Sequence, residues 1–509
     1  MPINRLFPLV LAMSLALAAV APRPAISYEL DIVPIKDHAG KKPKVVMVEE
    51  PQDAVRAWRH LRKKTVVVIS ESLGIASIDD KEWKKAYRLF KRGRLRKIIA
   101  KDYPTPRGYP INPYTYLCAA YRAGIIDKVY WVPPTKNAVG QEPLDRFKGY
   151  LSQFGVPPED LAGITQKEKS IEGKFNGLPV YICYLTDLPK MDGDVLLLID
   201  LPFFTPYYED EITTPIMDLF GSFIGRLGGL KMHVSRAAVS YSTGLGTFPL
   251  DNRYLGDYLR TYLTRPKILK DGPPPLWQTR AEALNYTAFF QPDDAVNSCL
   301  EAVKMAPKNA SLRYALAFAY LDQKDLIDMD KELGKAVFLD RHYYPAYFKA
   351  ADYLIKKDMT LDAEFLLQKA LKVNPADPRA YDLLNTLYVN EKNFSGAADA
   401  LKKKIALGFG GPDSFETLAD TYRKGGSFGL AEESYQKALS MIPVLDTNDR
   451  FKMTMDLAGT YEDDRKIDKA LELYDQLLKS LQDEHSKEQV QAKRDELESK
   501  WAPFMGGKK

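Results

Sequence analysis

Two rhythms of apolar residues divide the chain. Up to about residue 265, short β-branched or aliphatic runs alternate with stretches of helical spacing. Thr65–Ile69 is a buried-strand signature, and Lys128–Val132, Pro179–Tyr184, Val195–Ile199 and Ala237–Ser240 read the same way. Helices are predicted between them at 82–100, 115–123, 144–154 and 213–228, with a short one near 54–61. Strands that alternate with helices predict an α/β domain of three layers around a mainly parallel sheet. Beyond Pro266–Pro275, a linker closing on three prolines, the spacing becomes helical and repeats every 34 residues. Small residues recur at the eighth position (Ala283, Ala317, Ala351, Ala419) and at the twentieth (Ala295, Ala363, Ala397, Ala431). A large side chain recurs at the eleventh (Tyr286, Tyr320, Leu354, Tyr388, Tyr422), and Pro307, Pro375 and Pro443 close three of the units. Small residues let paired helices approach, the large one fills the space between pairs, and proline ends the second helix.

These positions resemble the tetratricopeptide repeat from residue 276 to 482, with a sixth unit starting near Phe451 and a charged capping helix and tail over 483–509. The resemblance implies an all-α superhelix whose first helices line a concave, peptide-binding groove. The family's groove positions fall on Tyr314, Phe318, Leu321, Phe348, Asp352, Asp382, Asp420 and Arg423, so the groove runs from aromatic to charged. Either the aromatic end anchors a ligand, or it packs against the preceding domain.

In the α/β half, chemistry is expected where strands end. Ser70-Glu-Ser-Leu-Gly74 follows the first predicted strand, Asp200-Leu-Pro-Phe-Phe204 a later one, and Ser240-Tyr-Ser-Thr-Gly244 the last. With Ile111–Tyr116 and Arg253–Asp257, these segments resemble the arginase/deacetylase superfamily over residues 55–265. That resemblance implies two divalent metals held by Asp-x-His-x-Asp and Asp-x-Asp, which activate a water for hydrolysis. Here those places hold Ser70, Ser72, Gly74, Asp200 and Pro202, a single carboxylate where a metal site needs about three ligands. The expectation is a degenerate domain with no cofactor, no metal and no catalytic residue, and a vestigial pocket of Ser70, Ser72, Asp200 and Ser242. Glu71 is expected to point away from it by strand alternation.

The start of the chain adds a destination. Arg5 precedes an uncharged apolar run from Leu6 to Ala21, and Ala25-Ile-Ser27 is a small-x-small cleavage signal, so residues 1–27 read as an export signal followed by an extension over 28–54. The expected location is the periplasm or the exterior. A formal net charge of +5 over 509 residues calls for no nucleic-acid partner. Cys118, Cys183 and Cys299 lie in or near apolar stretches at no metal-binding spacing and read as buried thiols. Ten Lys/Arg residues against Glu82 crowd 81–101, which is either a solvated helix face or a contact with anionic membrane. Together these readings predict an exported scaffold that binds a protein or peptide through its repeats. A hydrolase of amide or guanidino substrates with an altered site and an envelope-associated structural protein are the alternatives.

Overall fold

The computed structural model describes residues 35–505 apart from 101–108, 135–143, 154–155, 192, 206–215, 231, 245–247, 444–446 and 482. The expected export signal therefore lies outside the described residues, and so does the last residue of the basic run. No helix among the described residues is long and apolar enough to cross a membrane.

Eight strands form one sheet: β1 (Lys44–Val48), β2 (Lys64–Ile69), β3 (Ile126–Val132), β4 (Thr165–Gln166), β5 (Ile171–Phe175), β6 (Leu178–Ile182), β7 (Asp194–Asp200) and β8 (His233–Ser240). Their order is β1-β8-β7-β2-β3-β6-β5-β4. The six from β1 to β6 in that order run parallel, and the β4–β5–β6 edge is antiparallel. A parallel sheet is covered on both faces, which is why its central strands are uniformly apolar. Alternation sends Val66 and Val68 into one core with Trp58, Phe90 and Trp131. It sends Val67 and Ile69 into the other, with Phe220, Leu259 and Trp277.

The sheet starts earlier than the expected boundary at residue 55. Lys44–Val48, placed by sequence in the extension, pairs in parallel with β8 over Lys44↔Arg236 to Val48↔Ser240. The long helix expected at 82–100 is shorter, Asp80–Lys91, capped by Asp79, whose carboxylate accepts from the backbone N–H groups of Lys81 (2.9 Å) and Glu82 (3.0 Å). It buries Trp83, Ala86 and Phe90, while Lys81, Lys84, Lys85, Lys91 and Arg92 face solvent. Cys118, Cys183 and Cys299 are buried free thiols.

Six antiparallel helix pairs follow. Their first and second helices are Pro275–Ala288 and Pro292–Met305, Ala310–Asp322 and Leu326–Leu339, Ala346–Ile355 and Thr360–Val373, Pro378–Asn390 and Phe394–Lys404, Pro412–Lys424 and Phe428–Leu439, and Thr447–Asp463 and Ile467–Ser480. Glu484–Met505 closes the array as one helix. Ala317, Ala351, Ala363, Ala397, Ala419 and Ala431 are buried within the pairs, as close helix packing requires. The first helix belongs to both regions. Its Trp277 stacks on Tyr258 of the α/β domain at 3.8 Å between ring centroids and lies in that domain's core.

Candidate functional site

Sheet order brings the chain's chemistry together at the carboxyl ends of β1, β8, β7 and β2. Register sets Asp200 beside Ser240 and Ile199 beside Ile69, so Ser70 follows directly next to Asp200. Ser242 donates to Asp200 Oδ1 at 2.5 Å, and its Oγ lies 2.9 Å from that of Ser240. Ser242 sits at φ +50°, a conformation that side chains rarely adopt, and this turns its hydroxyl back toward Asp200. Ser70 is buried too, but its hydroxyl donates to the carbonyl of Ser72. Of the expected pocket, Asp200, Ser242 and Ser70 therefore converge, whereas Ser72 is half-buried and contributes its backbone. Pro202 is buried in the turn after β7.

Gly74 is required by packing. A Cβ there would come 2.2 Å from the Tyr116 ring and 2.6 Å from the Pro113 carbonyl. The space beside Gly74 is filled by the Tyr116 ring.

Three members of this site escaped sequence reasoning. Glu50, at the end of β1, is buried and accepts from the Gly244 N–H at 3.2 Å. Burial and the nearby charges of Asp200 and Glu49 push its pKa up to about 8. Burial likewise raises Asp200 to about 7, against the lowering effect of its hydrogen bonds from Ser242 and Ser240, with Glu71 adding to the rise. Glu71, expected from alternation to point away, is exposed just beyond β2 and adds to that rise. Tyr116 is buried, its phenol raised by burial and then by Asp200, and its oxygen has no hydrogen-bond partner among the described residues. Gln52 is buried, and its Oε1 also lacks a partner among the described residues. A signal existed: Lys44-Val-Val-Met-Val48 is a β-branched run that ends in Glu49-Glu50-Pro51, the pattern of the other strands.

Glu49, next to Glu50, faces the opposite way and builds the junction with the repeats. Arg253 is buried and donates to both Glu49 oxygens (2.6 and 2.7 Å), to Thr243 (3.0 Å) and to Asp340 of the second repeat (3.0 Å). Its guanidinium lies 3.8 Å from the Tyr241 ring centroid. Gly256 makes room for that ring, because a Cβ would come 2.4 Å from it. His342 Nδ1 lies 2.8 Å from Asp340 and 3.2 Å from Glu49. Burial raises Asp340, but the hydrogen bond from His342 and the charge of Arg253 win and hold its carboxyl below the usual range.

The predicted groove residues meet two fates. Tyr314, Leu321 and Phe348 are buried and Phe318 half-buried. The α/β domain reaches them: Tyr314 donates to Asp251 at 2.9 Å, Leu250 packs against their cluster, and Lys349 bonds Asp251 while lying over Phe318. Further along, the charged positions are half-buried and paired. Lys356 holds Asp352 at 2.6 Å, Lys404 holds Asp382 at 2.7 Å, Tyr435 donates to Asp420, and Arg423 bonds Asp463 at 2.5 Å.

Comparison with known proteins bears on this array. Residues 412–444, the fifth helix pair, match the tetratricopeptide-repeat family model. The C-terminal region carries a tetratricopeptide repeat. Solved structures similar to the chain include Pseudomonas aeruginosa PilF, 19% identical over 43% of this chain and 97% of that one, with a TM-score of 0.26. PilW, a widely conserved type IV pilus biogenesis factor, is 19% identical over 43% and 99%, with a TM-score of 0.27. MamA is 22% identical over 33% and 91%, with a TM-score of 0.26. No curated protein matches the sequence. None of these findings supports the resemblance of the N-terminal domain to arginases and deacetylases.

Proposed function

We propose that the chain is an exported scaffold that binds a protein or peptide partner through its tetratricopeptide repeats. The observation that carries this is the difference along the groove. Its early aromatic positions are covered by Leu250 and Asp251, and Asp352, Asp382, Asp420 and Arg423 remain accessible beyond them. A partner would then be read through charge, from the third repeat onward. The apolar run before Ala25-Ile-Ser27 is what supports export. Photo-crosslinking tests the reading. A crosslinker at Asp382 or Thr417 should trap one defined partner, and the charge reversals Asp420→Lys and Arg423→Glu should abolish the adduct. Equal trapping by the reversed protein would sink the proposal.

The α/β domain, in this reading, keeps a scaffold like that of arginases and deacetylases without their metal pair. The residues present do not fit that pair: Asp200 stands with serines, and the Tyr116 ring fills the place beside Gly74. The hydrolase alternative draws on Glu50 and Asp200, two buried acids that follow β1 and end β7 with β8 between them, and predicts tightly bound divalent metal in the intact chain. The intact chain is the right material, because Trp277 of the first repeat completes the α/β core.

A further inference from the structure

The basic stretch of the sequence takes a definite place in the fold. Its helix, Asp80–Lys91, packs Trp83, Ala86 and Phe90 into one core of the α/β domain. At about 100° per residue those three fall within about 60° of arc, and Lys81, Lys84, Lys85, Arg88, Lys91 and Arg92 within about 120° on the opposite side. All six are exposed, and Arg94, Arg96 and Lys97 carry the exposed charge past the end of the helix. The acids nearby do not neutralise it. Asp79 caps the helix with its carboxylate, and Asp80 pairs with Arg122 at 2.6 Å. Among the described residues no carboxylate lies in ion-pairing reach of any of these cations. Lys91 rests on the Tyr87 ring, 4.8 Å from its centroid.

Two features make this more than a solvated face. Nine cations against three acids leave +6 in residues 79–97, so the rest of a chain with a total of +5 carries −1. Net positive charge is thus concentrated on one face of an otherwise balanced molecule. The arrangement also works against its own helix. Lys81 and Lys85, Lys84 and Arg88, and Arg88 and Arg92 are like charges four residues apart, which repel on a helix surface. An anionic partner relieves that repulsion. The chemistry of the face says which partner. Trp83 and Phe90 are buried and Tyr87 lies half-buried beneath Lys91, so none of these rings is free to stack on a nucleic-acid base. No large apolar side chain of this stretch is exposed, so nothing here would insert between lipid tails. What remains is the outer side of a helix about 18 Å long, bearing ammonium and guanidinium groups that fit a plane of phosphates.

We propose that this face docks the protein reversibly on an anionic lipid bilayer, through headgroup phosphates and without insertion. The contact is separate from the repeat groove and stands whether or not the scaffold reading does.

Vesicle sedimentation with the intact chain tests it. Vesicles of phosphatidylcholine containing about one-third phosphatidylglycerol are compared with vesicles of phosphatidylcholine alone. Salt is set at about 0.1 M and about 1 M, where the screening length falls from about 10 Å to about 3 Å. At low salt the acidic vesicles should bind the chain at least about a hundred-fold more tightly than the neutral ones, and at high salt the preference should vanish. Each cation held near such a surface raises binding about five-fold, so Lys84→Gln/Lys85→Gln/Arg88→Gln should erase about a hundred-fold of it. The melting temperature should stay unchanged or rise slightly, because like charges have been removed from one helix face. Neutralising Lys402, Lys403 and Lys437, exposed on the repeats, should leave the preference intact. Absence of binding, or equal binding to both vesicles as the apolar run Leu6–Ala21 would give, overturns the proposal. Equal losses from the two triple variants overturn it as well, since they trace binding to overall charge. A short DNA duplex is run alongside, and tighter binding to it than to the acidic vesicles at equal phosphate concentration overturns the bilayer in favour of a polyanion.

Discussion

The early repeats, second and third, and the fifth use groove positions for opposite purposes. Tyr314 and Phe348 stand at groove positions by spacing, yet they are buried against Leu250 and Asp251. Asp420 and Arg423 occupy the same kind of position three units on, and they keep part of their surface. The repeat sets where a side chain points, and the neighbouring domain decides whether a ligand can reach it. The fastening of that domain is the place to break the comparison. Arg253→Ala would leave Glu49 and Asp340 facing each other without their shared cation. Removing one partner from a largely buried ion network costs about 4 kcal/mol, and urea unfolding should show it. A loss below about 1 kcal/mol would mean that apolar contacts such as Trp277 on Tyr258 hold the two regions together without it.

The second effect is a pH dependence at the strand ends. Asp200 is raised to about 7 and Glu50 to about 8, both chiefly by burial. An acid whose folded pKa lies above its unfolded value binds its proton more tightly in the folded state. Its contribution to stability is therefore full below about pH 4 and lost as pH rises through 7 to 8. Asp200→Asn removes that dependence. Between pH 5 and pH 9 the unmodified chain should lose about 3 kcal/mol more than the variant, two pH units at ~1.4 kcal/mol each. Parallel profiles would show that Asp200 is ionised in the fold at every pH measured.

How much of this was legible in the sequence follows from the range of each interaction. The repeat array was readable because its period is local and recurs, and the five strands anticipated from β-branched runs are all in the sheet. β1 carries the same β-branched signal but stands among lysines, and its partner β8 lies nearly two hundred residues away, so its place in the sheet is not read locally. The β4–β5 edge is too short and polar to announce itself. At the site, Asp200 and Ser242 could be found from strand ends, since a strand end is a local feature. Glu50 and Tyr116 could not be assigned, because they join Asp200 only through strand order and through the contact of Tyr116 with Gly74. The same holds for Arg253, whose partners come from residues 49 and 340.

A smaller effect sharpens the account of the strand ends. Gly74→Ala drives a methyl into the Tyr116 ring and the Pro113 carbonyl. Overpacking of this kind costs about 2 kcal/mol. Trimming the ring alone should not restore stability, because the carbonyl remains. Full recovery in Gly74→Ala/Tyr116→Ala would show instead that glycine is there only for the ring.

The smallest expected change in stability is in the groove, and its smallness is informative. Arg423 bonds Asp463 at 2.5 Å with its side chain 30% exposed, and lies against Gly459, where a Cβ would come 2.8 Å from Nη2. A half-exposed pair of this kind contributes about 0.5 kcal/mol. Arg423→Ala should therefore leave the unfolding midpoint nearly unchanged, whereas Phe348→Ala in the covered end should lower it far more, since it empties packed volume. If the partner is read through the charged end, Arg423→Ala also weakens its capture strongly at unchanged stability. Loss of stability and capture in equal proportion would place Arg423 among the residues that build the array, and the contact surface would have to be sought elsewhere.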